Sequence, residues 1–301
     1  MESWSQWYEL MLSQVTERPI APEKTNPSAL KVDANPTQHL RRRTTGVLWL
    51  FALPLLLFLL LPLVALILRV DPVALPANLV NPQVQQAVSL SLLTTGVSTW
   101  LALLFGTPLA YLLARRHFRG RTTIDTLLDL PMVLPPSVAG IALLLTFGRR
   151  GLVGAYLADL GITIAFTPLA VILAQLFVGA PFYVKAATAG FGGIDQELEQ
   201  AAALDGANRW AILRYITIPL AWPTLFGGAV MTWARALGEF GATIIFAGNF
   251  PGRTQTMPLA IYIGFELDLT VALTLAVILL TISFFALFVV KGLLHQRIKA
   301  V

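Results

Sequence analysis

The segment Val47–Leu68, VLWLFALPLLLFLLLPLVALIL, runs for 22 residues without one charged side chain. As a helix it is about 33 Å long, against a bilayer hydrocarbon core of about 30 Å. In lipid, the backbone N–H and C=O groups of such a run must be satisfied within the segment, so it is helical. Five further apolar runs predict spans over Val88–Ala114, Leu127–Phe147, Ile164–Ala187, Leu220–Ala247 and Thr270–Lys291. The expected fold is therefore an all-α integral membrane protein with six transmembrane helices. Composition agrees: 12% of the residues are charged, where a soluble domain carries about a quarter. Pro54, Pro62, Pro108, Pro168 and Pro181 lie within or beside these runs, where neighbouring helices can satisfy the freed backbone groups.

Basic residues flank the runs unevenly. Arg41–Arg43, Arg115, Arg116, Arg119, Arg121, Arg209, Arg214, Lys291, Arg297 and Lys299 fall on one side, and Arg69, Arg149, Arg150 and Arg253 on the other. The positive-inside rule places the richer side, with both termini, in the cytoplasm. The formal charge of +5 thus reads as a topology signal rather than a nucleic-acid surface. Residues 1–46 form an expected cytoplasmic tail, rich in Pro, Asn and charge and unable to bury a core. Its opening WSQWYELML reads as a frayed terminus and carries no secretory signal pattern. The first span then occupies 47–68, the transmembrane core 84–293, and a short cytoplasmic tail 294–301. The chain has no cysteine, and His39, His117 and His295 sit in basic flanks rather than in a ligand pattern. No metal site is expected.

Between the fourth and fifth runs lies a polar, alanine-rich interruption, EQAAALDGANRWAILRYITIP, from Glu199 to Pro219. Crossing a bilayer does not require it. Asp195 is placed to cap a helix, with Glu197 and Glu199 in its first turn where carboxylates suit the dipole. Gly206 follows at a left-handed C-terminal position, and Asn208 caps a second short helix that leads to Pro219. Alanines leave a bare surface for close packing by another protein, with Glu199 available at its edge. A capped surface hairpin without a partner is the plainer alternative.

Inside the fifth run, Arg235 and Glu239 are one turn apart and spaced to neutralise each other. They read either as a polar lining or gate for an anion, or as an ion pair fixing helix packing. Ala234, Gly238 and Ala242, with Gly241 beside them, permit close helix approach, between two copies or within one. Ser91, Thr95 and Ser98 share a face of the second run, where hydroxyls line a pore or bond back to their own helix. Arg149, Arg150 and Arg253 either guide an anion or dock a delivering protein, or are simply solvated.

Glu199, Ala201, Ala202, Gly206, Ile216 and Pro219 resemble the "EAA" loop of ABC importer permeases: Glu, paired alanines, a Gly, then Ile-x-x-Pro. The glycine falls one position later than in the shortest form of that motif. The likeness implies the type I importer permease fold and makes residues 192–219 a coupling loop that docks on a separate ATP-hydrolysing subunit. From about Val84 to Ile298, LDLPMVLPPSVAGIALLLTFGRRG, ITIAFTPLAVILAQ and RALGEFGATIIFAGNFPGRTQTMPLAIY resemble the molybdate/tungstate importer permeases, relatives of the sulfate/thiosulfate permeases. That resemblance implies a homodimer, two ATPase subunits carrying ATP and Mg2+, and an external molybdate-binding protein. No G-x-x-x-x-G-K-[ST] loop occurs here, so nucleotide is expected on the partner, with no cofactor on this chain. An ion-driven secondary transporter would leave the cassette unexplained, and no nucleophile–base pairing marks a membrane enzyme.

Overall fold

The computed structural model describes the backbone of residues 36–298 and the side chains of residues 48–292. The expectation for residues 1–35 of the N-terminal tail lies outside the described residues. Helix α1, Pro36–Arg69, begins before the predicted first span, and its apolar part is Leu48–Arg69.

After the short helix α2, Ala74–Leu79, the second span forms as α3, Pro82–Arg115. Asn81 caps it by accepting from the Gln83 N–H, and Pro82 takes the first turn, where its missing N–H costs nothing. The expected third span is not one helix. It consists of α4, Arg121–Val133, and α5, Pro136–Phe147, bent by 115°. Pro135 and Pro136 cause the break: each disfavours helical geometry in the residue before it. Leu134 and Pro135 accordingly have extended ψ values of 136° and 134°. A short helix α6, Gly154–Asp159, follows.

The fourth span is α7, Pro168–Gly192, capped by Thr167. Next come α8, Gln196–Leu204, then α9, Arg209–Ile212, and a wide π-turn over Leu213–Thr217. The turn feeds α10, Ile218–Leu237. The expected fifth span stops there, because Gly238–Phe240 leave helical geometry before α11, Gly241–Phe246. Helix α12, Met257–Leu267, lies between the fifth and sixth predicted spans. Helix α13, Leu269–Ile298, covers and extends the sixth predicted span.

Among the described residues, four helices (α1, α3, α7 and α13) are long and apolar enough to cross a membrane, and the bent α4–α5 pair makes five. From α3 onward the centre of the bundle is α7, which packs along both α3 and α10. Its buried face sets small side chains, Ala170, Ala174, Gly179 and Ala187, among larger ones such as Val171, Tyr183 and Phe191. Small residues let helix backbones approach closely where lipid gives no hydrophobic drive for association.

Candidate functional site

The cassette between α7 and α10 has the predicted punctuation. Asp195 accepts from the Glu197 N–H at 2.9 Å, and Asn208 accepts from the Ala211 N–H at 2.8 Å. At the end of α8 the N–H of Gly206 bonds to the Ala203 carbonyl, and that of Ala207 to the Ala202 carbonyl. Gly206 has φ +90°, the left-handed geometry in which a side chain is strained. Ala201 and Ala203 are exposed, as is Pro219, while Ala202 and Ile216 are half-buried.

Glu199 does not project from the edge of the cassette as the sequence led us to expect. Its Oε1 accepts from Arg115 Nη2 at 2.9 Å and from Thr217 Oγ1 at 2.9 Å. Arg115 is the last residue of α3, and Thr217 the last of the π-turn. One carboxylate oxygen therefore ties α8 to the end of one span and to the foot of another. Arg115 is largely buried, with 7% of its side chain exposed, so the carboxylate supplies its counter-charge in a place water reaches poorly.

Both partners were missed from sequence, because contacts 84 and 18 residues away leave no local signature. A second network was also missed. Lys185, on α7, bonds Asp125 at 2.7 Å and Asp129 at 3.0 Å, both on α4. Its signal was present: a lysine inside an apolar run needs a partner, and Asp125 and Asp129 share a helix face at i,i+4.

Arg235 and Glu239 do pair, with Nη1 to Oε2 at 2.8 Å, but not within a continuous helix. Arg235 lies in the last turn of α10 and Glu239 in the break that follows it. The other oxygen of Glu239 accepts from the Ala242 N–H at 2.9 Å and so caps α11. Glu239 is 1% exposed, against 33% for Arg235. Of the small residues, Gly241 and Ala242 serve packing within this chain. A Cβ on Gly241 would lie 2.7 Å from Pro136 Cβ, and one on Gly140 would lie 2.8 Å from the Ala242 carbonyl oxygen. Helices α5 and α11 could not approach so closely otherwise. Ala234 is half-buried and Gly238 exposed, so the four-residue stripe does not continue as one packed face.

Ser91, Thr95 and Ser98 are buried in the bundle. Thr95 donates to the Ser91 carbonyl and Ser98 to the Thr95 carbonyl, the back-bonding alternative. Ser91 does something else: its hydroxyl accepts from the Met257 N–H at 2.7 Å and pins the start of α12. Arg149 and Arg150 are exposed after α5, and Arg253 is exposed ahead of α12. Arg149 also lines a cavity of about 280 Å³ with Phe147, Ile164 and Phe166.

A second cavity, of about 340 Å³, opens beside the cassette between Tyr111, Arg115 and Arg116 at the end of α3, Gln196, Glu199, Gln200 and Ala203 on α8, and Arg209 and Ile212 on α9.

Residues 106–300 match the family described as binding-protein-dependent transport system inner membrane component. The chain is 42% identical over 228 residues to the molybdenum transport system permease protein ModB of Mycobacterium tuberculosis, covering 76% of this chain and 86% of that one. It is 46% identical over 178 residues to the protein of the same name from Escherichia coli K12, covering 59% of this chain and 78% of the relative. Among solved structures, a bacterial ABC transporter that imports the acidic polysaccharide alginate matches 85% of this chain and 98% of its own, with TM-score 0.66 and 19% identity. The last likeness speaks to the fold.

Proposed function

The chain belongs to the binding-protein-dependent transport system inner membrane component family, and on that premise we propose that it is the permease subunit of an ATP-driven importer of molybdate or tungstate. It is a multi-pass protein of the cytoplasmic membrane and a transport subunit rather than an enzyme; ATP is used by a partner of this family's systems. Counting α10, with its 20 residues, and the bent α4–α5 pair as spans gives six. Both termini then lie in the cytoplasm on the basic-residue distribution. Two copies form one path, each docked through residues 192–219 to an ATPase subunit holding ATP and Mg2+, and an external binding protein delivers the anion.

The observation that carries this reading is the joint at Glu199. A surface helix with no role in spanning the membrane is tied by Arg115 and Thr217 to the ends of two core helices. A displacement imposed on α8 by a motor is thereby passed to α3 and α10. Arg235 and Glu239 hold the corner between α10 and α11, beside α5. They serve this path as packing that positions its walls, since Glu239 is neutralised and turned inward. Arg149, Arg150 and Arg253 are, with Arg69, exposed cations on the side where the binding protein would dock.

The test is uptake of labelled molybdate at nanomolar concentration in cells with and without this chain. We expect uptake to vanish on deletion and to be blocked by tungstate but not by excess sulfate. Unchanged molybdate uptake with a sulfate defect would move the chain to the sulfate/thiosulfate branch.

A further inference from the structure

Glu199 has its charge consumed inside the chain, yet the cavity beside it is not neutral. Arg115, Arg116 and Arg209 line it against the single carboxylate of Glu199. Neither Arg116 nor Arg209 joins an ion pair among the described residues. Arg115 gives Nη2 to Glu199, which takes up its charge. Gln196 and Gln200 add side-chain amides on the same wall. Guanidinium forks and amides arranged in this way suit a carboxylate.

The rim identifies who brings that carboxylate. Gln196, Gln200 and Ala203 recur along one face of α8, and Leu204 ends that face at 89% exposed. Trp210, next to Arg209, is 66% exposed. Large apolar side chains flanking a basic cleft, on a segment outside the membrane spans, fit a protein partner better than a free ion, because a free ion would leave them in water. We infer that this cleft is the seat for an acidic side chain, Asp or Glu, presented by the ATPase subunit. Arg116 and Arg209 are the charges that receive it. The inference rests on the importer reading and deepens it: the permease receives a carboxylate here, at the two arginines that Glu199 leaves unpaired.

The test uses the full permease–ATPase complex purified in detergent, with association measured across a salt series. Expected is a salt-sensitive wild-type complex, weakened about tenfold and made less salt-sensitive by Arg116→Glu with Arg209→Glu. The corresponding Lys pair should retain it, and size-exclusion profiles should show all permeases equally monodisperse. The chain has no cysteine, so Gln200→Cys carries one benzophenone probe, which should cross-link an ATPase peptide containing Asp or Glu. Undiminished association of the reversed pair overturns the inference and leaves the importer reading standing, as does cross-linking only to phospholipid. Failure of the wild-type permease to bind any ATPase subunit overturns both.

Discussion

In the cassette, Glu199 joins elements that lie 84 and 18 residues away along the chain, whereas Glu239 ties only its neighbours, Arg235 and the Ala242 N–H. Both carboxylates take an arginine and one further donor, but their surroundings differ. Glu239 is nearly inaccessible, at 1%, and Glu199 is partly open, at 19%. A local pair fixes the angle between two consecutive helices. A long-range joint connects elements far apart in the chain, so a displacement of one is felt by the others. The same chemistry thus makes a corner in one place and a linkage in the other. The first is a matter of stability and the second, on the function proposed above, of coupling.

That contrast breaks if the two sites respond alike. Arg235→Met leaves Glu239 as an uncompensated buried charge, so it should destabilise the protein by about 3–5 kcal/mol, read as a lower melting temperature in detergent. Glu239→Gln should cost less, since its amide oxygen still accepts from Ala242. Melting of both variants at the wild-type temperature would remove the corner from the argument. Glu199→Lys sets an ammonium against Arg115. We expect uptake to fall by about tenfold or more and the ATPase to lose its stimulation, with membrane insertion retained. Arg115→Glu combined with Glu199→Arg should recover part of the activity. Full transport with a normally stimulated ATPase in Glu199→Lys would count against a linkage.

A smaller effect sharpens the same point. Gly206→Ala meets no neighbouring atom within 4 Å, so only its φ of +90° is at stake. The cost should be about 1–2 kcal/mol, spent locally: faster amide exchange in α8 and α9 while the α3–α7–α10 core stays protected. Loss of protection throughout would mean that the cassette is part of the folding core.

The contrast also explains what the sequence could and could not reveal. The runs that became α3, α7 and α13 were legible because length and apolarity suffice for them, and the cassette's caps because Asp195, Gly206 and Asn208 act within three residues of themselves. The break after Leu237 was not, because apolar residues continue through α11 and only the Arg235–Glu239 pair interrupts them. Pro135-Pro136 was visible, but prolines within membrane helices are often tolerated, and only the doubled ring makes two successive residues extended. Helix α12 was too short to read as a span. The motif at Glu199 was legible, but its pairing was not, since Arg115 comes from another helix and no spacing rule connects them.

Asp268 offers a third carboxylate with the arginine left out. It precedes α13, accepting from the Thr270 hydroxyl at 2.6 Å and from the Thr270 and Val271 N–H groups at 3.0 and 3.3 Å. The Thr270 hydroxyl, and then the Val271 N–H, hold its carboxyl below the usual carboxylate range. A folded-state pKa depressed in this way gives stability that is present above the unfolded value of about 3.9 and is lost as pH falls through the lower folded value. Asp268→Asn should therefore melt slightly below wild type at neutral pH, with the gap closing as the solution is acidified through that window. Since Asp268 is exposed, the effect should be the smallest of the series. A gap independent of pH would mean that the cap acts through shape alone, and that charge matters in these carboxylates only where an arginine stands opposite.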